Sequence, residues 1–208
     1  MSPSDEHPDS RQHAASLHVI CGPMFAGKTT LLLKLHAQQK VLSFRSEIML
    51  FKPSGDTRYS TTLAVTHAGE SAVAIPVPDA AAMATAARDA AFIFIDEAHF
   101  FGTALVPLVS QWLANGKHLV IAGIERDHRG MPFQPFPALL CEADTVTKLS
   151  GVCSRCNSEL GPAIHSQRLI NSDATIVVGG IGAYEARCRV CFQPLLLGAL
   201  PPAHSPAL

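Results

Sequence analysis

The stretch from residue 17 to residue 29 constrains the fold of this chain more than any other part of its sequence. Residues 17–21 (LHVIC) predict a short buried strand, and a leucine-rich stretch up to about Gln39 predicts a helix. Between them, residues 22–29 spell GPMFAGKT, which fits the pattern G-x-x-x-x-G-K-[ST]. The glycines of this pattern let main-chain N–H groups curl around a phosphate at the positive end of the helix. The stretch therefore predicts a strand–loop–helix unit that binds phosphate, a P-loop.

More apolar strands alternate with helices further along the chain. Residues 47–51, 91–95 and 118–122 are predicted strands, and Asp79 and Thr103 are predicted N-caps of the two helices between them. Residues 91–95 (AFIFI) are apolar without alternation, which is typical of a sheet covered on both faces. The alternation predicts an α/β fold, with a parallel sheet in an αβα sandwich.

Asp96 and Glu97 follow the most apolar strand directly. The carboxyl end of such a strand is where a nucleotide site needs a carboxylate for Mg²⁺. In a P-loop, Lys28 reaches the β- and γ-phosphates and the Thr29 hydroxyl ligates the Mg²⁺. We therefore assign Thr29 and Asp96 to magnesium and Glu97 to a proton-accepting role.

Residues 96–99 also spell DEAH, a box found in RNA helicases that carry a P-loop. Such a helicase needs a second nucleotide-gripping domain, and too few residues follow the box to form one. A GTPase is disfavoured as well, because the sequence contains no Asn-Lys-x-Asp motif to read guanine. Neither of these two nucleotide-hydrolysing classes fits the chain.

Four of the six cysteines form two matched pairs, Cys153-x-x-Cys156 and Cys188-x-x-Cys191. In a reducing compartment, paired CxxC motifs indicate metal binding rather than disulfides. Four thiolates with this spacing suit a tetrahedral Zn²⁺ site. Because four sulfur ligands leave no open coordination position, we expect the zinc to be structural.

The charge balance disfavours two classes of partner. The chain has 16 Lys+Arg against 17 Asp+Glu, a formal net charge of −1. This balance argues against a dedicated DNA or RNA coat and against a polybasic membrane anchor. No stretch is predicted to span a membrane, and residues 1–16 lack the apolar run of a secretory signal. We therefore expect no nucleic-acid partner, no membrane partner and a cytoplasmic location.

Composition divides the chain into four predicted parts. Residues 1–16 are polar and predict a disordered tail, and residues 17–150 carry the alternating strands and helices of a nucleotide-binding domain. From residue 151 to residue 193, strand-like pieces and glycine turns lie between the cysteine pairs and predict a small zinc-binding domain. Residues 194–208 are rich in Pro, Ala and Leu and predict a flexible tail.

Six ordered blocks resemble the type II thymidine kinase family, the zinc-containing deoxythymidine kinases of bacteria and animals. They are GPMFAGKT (22–29), KPSGDTRYS (52–60), FIDEAHFF (94–101), GIERDHRGMPF (123–133), VTKLSGVCSRC (146–156) and VVGGIGAYEARCRVC (177–191). The resemblance implies ATP-dependent phosphorylation of the 5′-hydroxyl of thymidine, and of deoxyuridine, to give dTMP in nucleotide salvage. It also implies a homotetramer, dTTP as a feedback inhibitor, Mg²⁺, structural Zn²⁺ and a lasso loop that closes over the nucleoside.

Matching positions within these blocks implies a set of site residues, with Glu97 as the kinase's catalytic base. The expected ATP site comprises Gly22, Pro23, Met24, Phe25, Ala26, Gly27, Lys28, Thr29, Asp56, Arg58, Asp96 and His99. The expected nucleoside site comprises Met24, Phe101, Ile124, His128, Phe133, Ser166, Thr175, Ile176, Val177, Val178, Gly179 and Tyr184. The expected zinc ligands are Cys153, Cys156, Cys188 and Cys191.

Three residues depart from the family pattern. His99 stands where the family commonly has glutamine, and Glu125 stands where it commonly has aspartate. His128 stands where an aromatic residue, usually phenylalanine, approaches the nucleoside. We expect His128 to weaken nucleoside affinity if it faces the sugar, and to be a bystander if it points to solvent.

Two other functions stay open. A zinc-containing P-loop ATPase acting on nucleic acid would use Glu97 to orient water and would present a basic face, which the near-neutral charge disfavours. A catalytically silent nucleotide sensor is disfavoured by the presence of Glu97 and Lys28.

Overall fold

The structure, a computed structural model, describes residues 15–43, 47–56, 62–65, 69, 71–170 and 182–194. Its strands are β1 (Ser16–Cys21), β2 (Ile48–Pro53), β3 (Leu63–Val65), β4 (Ser71–Val73), β5 (Ile75–Val77), β6 (Phe92–Ile95), β7 (His118–Gly123), β8 (Thr145–Lys148), β9 (Ala163–Arg168) and β10 (Tyr184–Cys188). Its helices are α1 (Lys28–Leu42), α2 (Ala80–Ala86), α3 (Leu105–Ala114) and α4 (Phe136–Glu142), and a 3₁₀ segment (Ala98–Ala104) precedes α3.

Six strands form one sheet in the order β5-β2-β6-β7-β1-β8, and the pairings within it are parallel. The expected α/β fold is therefore confirmed. Parallel strands place the residues that follow β1, β6 and β7 at the same edge, where open α/β sheets bind their ligands. These residues belong to the P-loop, the Asp96-Glu97 pair and the segment 124–133.

Helices pack on both faces of this sheet. Ile93 and Ile95 of β6 lie in one core cluster with Trp112 of α3, whereas Phe94 between them lies in a second cluster with Leu32 of α1. Successive residues of a strand point to opposite faces, so both sets are buried only if both faces are covered. This arrangement explains why β6 is apolar without alternation.

The two predicted helix caps have different outcomes. The Asp79 carboxylate accepts a hydrogen bond from the Ala82 N–H at 2.8 Å, so it caps α2 as predicted. The prediction for Thr103 is wrong, because α3 begins at Leu105 and Thr103 lies within the preceding 3₁₀ segment. The Leu105 N–H reaches the carbonyls of Gly102 and Thr103 instead of a side chain.

A second, antiparallel sheet consists of β9 and β10. It packs around a small cluster that contains Ala163, Ala186 and three buried cysteines. The proposed division at residue 150 stays a prediction, and the predicted tails, apart from residues 15, 16 and 194, lie outside the described residues. Among the helices described, none has the length and apolar character needed to cross a membrane.

Candidate active site

The P-loop between β1 and α1 has a backbone that requires its two glycines. Gly22 has a φ of 148°, and a Cβ atom there would lie 2.5 Å from the Leu149 main-chain oxygen. Gly27, which leads into α1, has a φ of 84°. Only glycine adopts these conformations at little cost. The sequence pattern therefore specifies the shape of the loop.

Positive charge converges on this loop. Helix α1 begins at Lys28, and its first turn has neither a side-chain cap nor an acidic residue. The Lys28 ammonium is buried and donates to the Pro23 carbonyl at 2.7 Å, so it lies across the loop. A helix N-terminus and a buried lysine at the same loop favour an anion such as a phosphate.

Thr29 and Asp96 meet at the carboxyl edge of the sheet. The Thr29 Oγ1 atom lies 3.0 Å from Asp96 Oδ2 and 3.2 Å from Asp96 Oδ1. Burial, followed by the charge of Glu97, raises the pKa of Asp96 to about 7. A hydroxyl and a buried carboxylate are oxygen ligands of the kind that Mg²⁺ prefers, and the cation would stabilise the ionised carboxylate. The residues present therefore fit the expected magnesium site.

Glu97 adopts a left-handed main-chain conformation, with a φ of 50° and a ψ of 42°. This conformation costs about 1–3 kcal/mol for a residue other than glycine, and such residues cluster at functional sites. The Glu97 Oε2 atom lies 3.5 Å from Nδ1 of His99, whose ring centroid is 5.4 Å from that of Phe133. The Ile124 main-chain N lies 3.5 Å from the same Nδ1. Four expected site residues are thus neighbours.

Ser166 connects the second sheet to the P-loop. Its Oγ atom accepts a hydrogen bond from the Met24 main-chain N–H at 2.9 Å, and both residues are buried. Ser166 lies on the same face of β9 as Arg168, which pairs with Tyr184 of β10. Three residues of the expected nucleoside site, Met24, Ser166 and Tyr184, are therefore brought to one side of the P-loop.

His128 is buried, with 7% of its surface exposed, so it does not point to solvent. Its Nδ1 atom is buried without a hydrogen-bond partner. Burial, followed by the positive charge of Arg168, lowers the pKa of His128; Asp127 acts in the opposite direction and Arg129 in the same one. The imidazole is therefore neutral at pH 7.

Arg168 is not among the site residues predicted from the sequence, yet only 2% of its surface is exposed. Its Nε and Nη2 atoms donate to the Tyr184 hydroxyl oxygen at 3.2 Å and 3.0 Å. A signal was present in the sequence, because alternation along a strand places Arg168 on the same face as Ser166, two residues earlier. An arginine on an inward face needs a partner, and Tyr184 is opposite.

The four predicted zinc ligands come together. The sulfur atoms of Cys153, Cys156, Cys188 and Cys191 all lie within 4.8 Å of one another. The Sγ atoms of Cys156 and Cys188 are 3.8 Å apart, which matches the spacing of about 3.8 Å between ligands of a tetrahedron with Zn–S distances of about 2.3 Å.

Charge in the cysteine cluster also favours a cation. Burial and the neighbouring thiols raise the pKa of Cys191 to about 12. Burial acts the same way on Cys153, but main-chain N–H donors of Cys188, Cys156 and Arg155 outweigh it and lower the pKa of Cys153 to about 6. A divalent cation at the centre would allow all four sulfurs to bind as thiolates. The cluster therefore fits Zn²⁺.

Glu125 is buried where β7 ends. Its Oε1 atom lies 3.3 Å from Lys148 Nζ and 4.0 Å from Arg126 Nε, and neither carboxylate oxygen has a hydrogen-bond partner. The carboxylate is therefore compensated by ion pairs, and nothing in the structure explains why glutamate stands here rather than aspartate.

The remaining expected site residues fall into two groups. Asp56, which follows β2, and Phe101 are buried and described. The others lie outside the described residues, so their roles and the lasso stay predictions: Arg58, Thr175, Ile176, Val177, Val178 and Gly179.

Comparison with known proteins gives a consistent picture. The family model described as Thymidine kinase matches residues 15–192. A thymidine kinase of Coprothermobacter proteolyticus is 43% identical over 180 residues, which cover 84% of this chain and 88% of that protein. A thymidine kinase of a Rhodothermus species is 39% identical over 178 residues (86% and 81%), and one of Bacteroides fragilis is 35% identical over 193 residues (93% and 94%). The chain therefore belongs to the thymidine kinase family.

Proposed function

We propose that the protein transfers the γ-phosphoryl group of ATP to the 5′-hydroxyl of thymidine, giving dTMP and ADP, and that deoxyuridine is also a substrate. The observation that carries the proposal is the hydrogen bond from Met24 to Ser166, which joins a phosphate-binding loop to the β9–β10 sheet, where Ser166 and Tyr184 of the expected nucleoside site lie. The kinases that match over most of the chain support the same reaction.

The chemistry depends on where the substrate proton goes. A sugar hydroxyl is a weak nucleophile, and a carboxylate within hydrogen-bond reach that accepts its proton contributes about 10²–10⁴-fold to the rate. We assign this role to Glu97, which is next to the magnesium candidate Asp96 in the chain. The 5′-oxygen then bonds to the γ-phosphorus, the bond from that phosphorus to the β–γ bridging oxygen breaks, and ADP leaves.

The P-loop would hold the phosphates during the transfer. Main-chain N–H groups of residues 25–29 and the Lys28 ammonium would spread the negative charge that develops on the phosphoryl group. Thr29 and Asp96 would hold Mg²⁺, which when bound supplies further positive charge at the phosphates. The four cysteines would hold a structural Zn²⁺ that cross-links the β9–β10 region without taking part in the chemistry.

Consumption of ATP by the whole protein tests the proposal. The reaction is followed with Mg²⁺ and ATP in parallel samples that contain thymidine, deoxyuridine, single-stranded DNA or no addition. Thymidine and deoxyuridine should each give ADP and a nucleoside monophosphate in equal amounts. ADP formation that depends on DNA and leaves the nucleosides unchanged would instead indicate a nucleic-acid-dependent ATPase, and no consumption under any condition would indicate a silent binder.

Family membership supports three further proposals. We propose that the protein is a homotetramer, that dTTP inhibits it and that it works in the cytoplasm. dTTP contains a thymidine group and a triphosphate, so it can occupy the nucleoside pocket and the P-loop together. Light scattering tests the tetramer, and competition of dTTP with both substrates tests the inhibition.

A further inference from the structure

Arg168 is the largest of the fully buried side chains in the described part of the protein. It comes from β9 and lies opposite Tyr184 of β10 in the register of the antiparallel pair. Two of its donor atoms, Nε and Nη2, donate to the Tyr184 hydroxyl oxygen, and its guanidinium carbon lies 5.5 Å from the centre of the Tyr184 ring. The arginine thus contacts the phenol through two hydrogen bonds and through the ring.

We propose that Arg168 is a positioning residue of the nucleoside site, one that fixes the Tyr184 ring and thereby sets nucleoside affinity without contacting the nucleoside. The inference rests on the proposed function and on the expectation from family resemblance that Tyr184 belongs to the nucleoside site.

The geometry explains why arginine suits this role. Its planar guanidinium presents donors in a rigid fork. A tyrosine whose hydroxyl oxygen accepts two of these donors has little freedom to move. Burial strengthens these hydrogen bonds because water does not compete with them. A ring that is held before the ligand arrives loses less conformational freedom on binding, which favours affinity. Lysine would keep the charge but not the fork.

The test combines three substitutions in the full-length, zinc-loaded protein: Arg168→Met removes the charge and the fork, Arg168→Lys removes only the fork, and Tyr184→Phe removes only the phenol oxygen. Dissociation constants for thymidine and for ATP, and kcat, are measured for each variant and for the two double variants. Arg88→Met is the matched control, since Arg88 is exposed and lies outside the β9–β10 sheet. Arg187 is unsuitable, because it donates to the main-chain oxygen of Cys191 as well as to Glu185. Zinc content confirms that each variant is folded.

We expect Tyr184→Phe and Arg168→Met each to weaken thymidine binding on the order of tenfold, with little change in ATP binding or kcat. In a protein in which Arg168 is already replaced, Tyr184→Phe should cause almost no further loss of thymidine affinity. The Arg88→Met control should bind thymidine like the wild type.

Additive losses in the double variants, or thymidine binding by Arg168→Met as tight as in the wild type, would overturn the inference. If Arg168→Met does not fold, the cycle of Arg168→Lys with Tyr184→Phe decides, because a lysine that still couples fully to the phenol would contradict the role of the fork. Wild-type protein that phosphorylates no nucleoside would instead contradict the proposed function, so the two failures are distinguishable.

Discussion

The Ser166 hydroxyl accepts a hydrogen bond from the Met24 main-chain N–H at 2.9 Å, at a point where both residues are buried. This bond joins two parts of the chain that are 142 residues apart in sequence. It ties the β9–β10 sheet to the loop that is expected to hold the phosphates. The Ser166 side chain therefore helps to hold the P-loop against the β9–β10 sheet.

Replacing Ser166 with Ala should lower the rate of phosphoryl transfer to thymidine, because the P-loop would no longer be bonded to β9 through this hydroxyl. The substitution leaves the Met24 N–H buried without this partner, which costs about 1–3 kcal/mol. We expect a lower kcat/KM for thymidine with a folded, zinc-containing protein. Ser166→Thr keeps the hydroxyl and should retain most of the activity, and Ser154→Ala, at an exposed position, should match the wild type. Equal activity of Ser166→Ala and the wild type would remove the bond from the mechanism.

Replacing Glu97 with Gln should abolish most phosphoryl transfer while ATP binding survives. The amide has nearly the same size but does not accept the substrate proton, so we expect kcat to fall by about 10²–10⁴-fold. Single-turnover kinetics and a direct ATP-binding measurement separate the two effects. Glu159→Gln, at an exposed carboxylate, is the control. Near-normal turnover of Glu97→Gln would contradict the assignment of the base.

Replacing Cys153 or Cys188 with Ser should release the metal and disturb the β9–β10 region. Structural zinc contributes an apparent binding free energy of roughly 10–16 kcal/mol in small modules. The loss of one ligand should therefore strongly destabilise the β9–β10 region. Elemental analysis should find one zinc per chain in the wild type and much less in the variants, which should lose activity but keep a folded P-loop domain.

Cys141→Ser is the matched control for the metal site, because Cys141 is exposed and lies outside the cluster. It should keep both zinc and activity. A protein that contains no metal and is fully active would show that the cluster has another role.

Thymidine affinity should fall as the pH drops below the ordinary histidine range. Burial lowers the pKa of His128, so the side chain is neutral at pH 7 and becomes protonated only below about 6.5. The sign follows from desolvation: the closed pocket disfavours the imidazolium, so binding requires loss of the proton and weakens when protons are abundant. The pH range over which thymidine affinity falls should therefore lie below the ordinary histidine pKa of about 6.5.

The dissociation constant of thymidine, measured against pH at saturating ATP, checks this prediction. The His128→Phe variant should bind thymidine more tightly, and its affinity should no longer fall at low pH. Phenylalanine offers an apolar ring without a titrating group. Parallel curves for the wild type and the variant would show that His128 does not face the nucleoside.

Local patterns in the sequence predicted most of the core and the chemical groups of the site. The apolar run of β6 predicted a doubly covered strand, and Ile93, Phe94 and Ile95 are buried on its two faces. The P-loop followed from spacing alone, since the two glycines have the backbone angles that the pattern requires. Paired CxxC spacing predicted the metal cluster, because four sulfurs must converge to bind one ion.

Helix ends and long-range polar contacts were harder to predict. Thr103 has the composition of a cap, but the main chain of the preceding 3₁₀ segment satisfies the start of α3 instead. Helix α4 was missed, because its seven residues follow a proline-rich loop and lack a long apolar period.

The sequence by itself determined the phosphate loop, the acidic pair and the four thiols, because each of these is encoded by residues that are close together or that form matched pairs. Tertiary structure alone decided that Met24 meets Ser166, that Arg168 is buried against Tyr184, and that His128 turns inward. These contacts join distant segments, and their energies depend on which groups are removed from water together. Burial and pairing of that kind arise only when the sheet and the hairpin pack against each other.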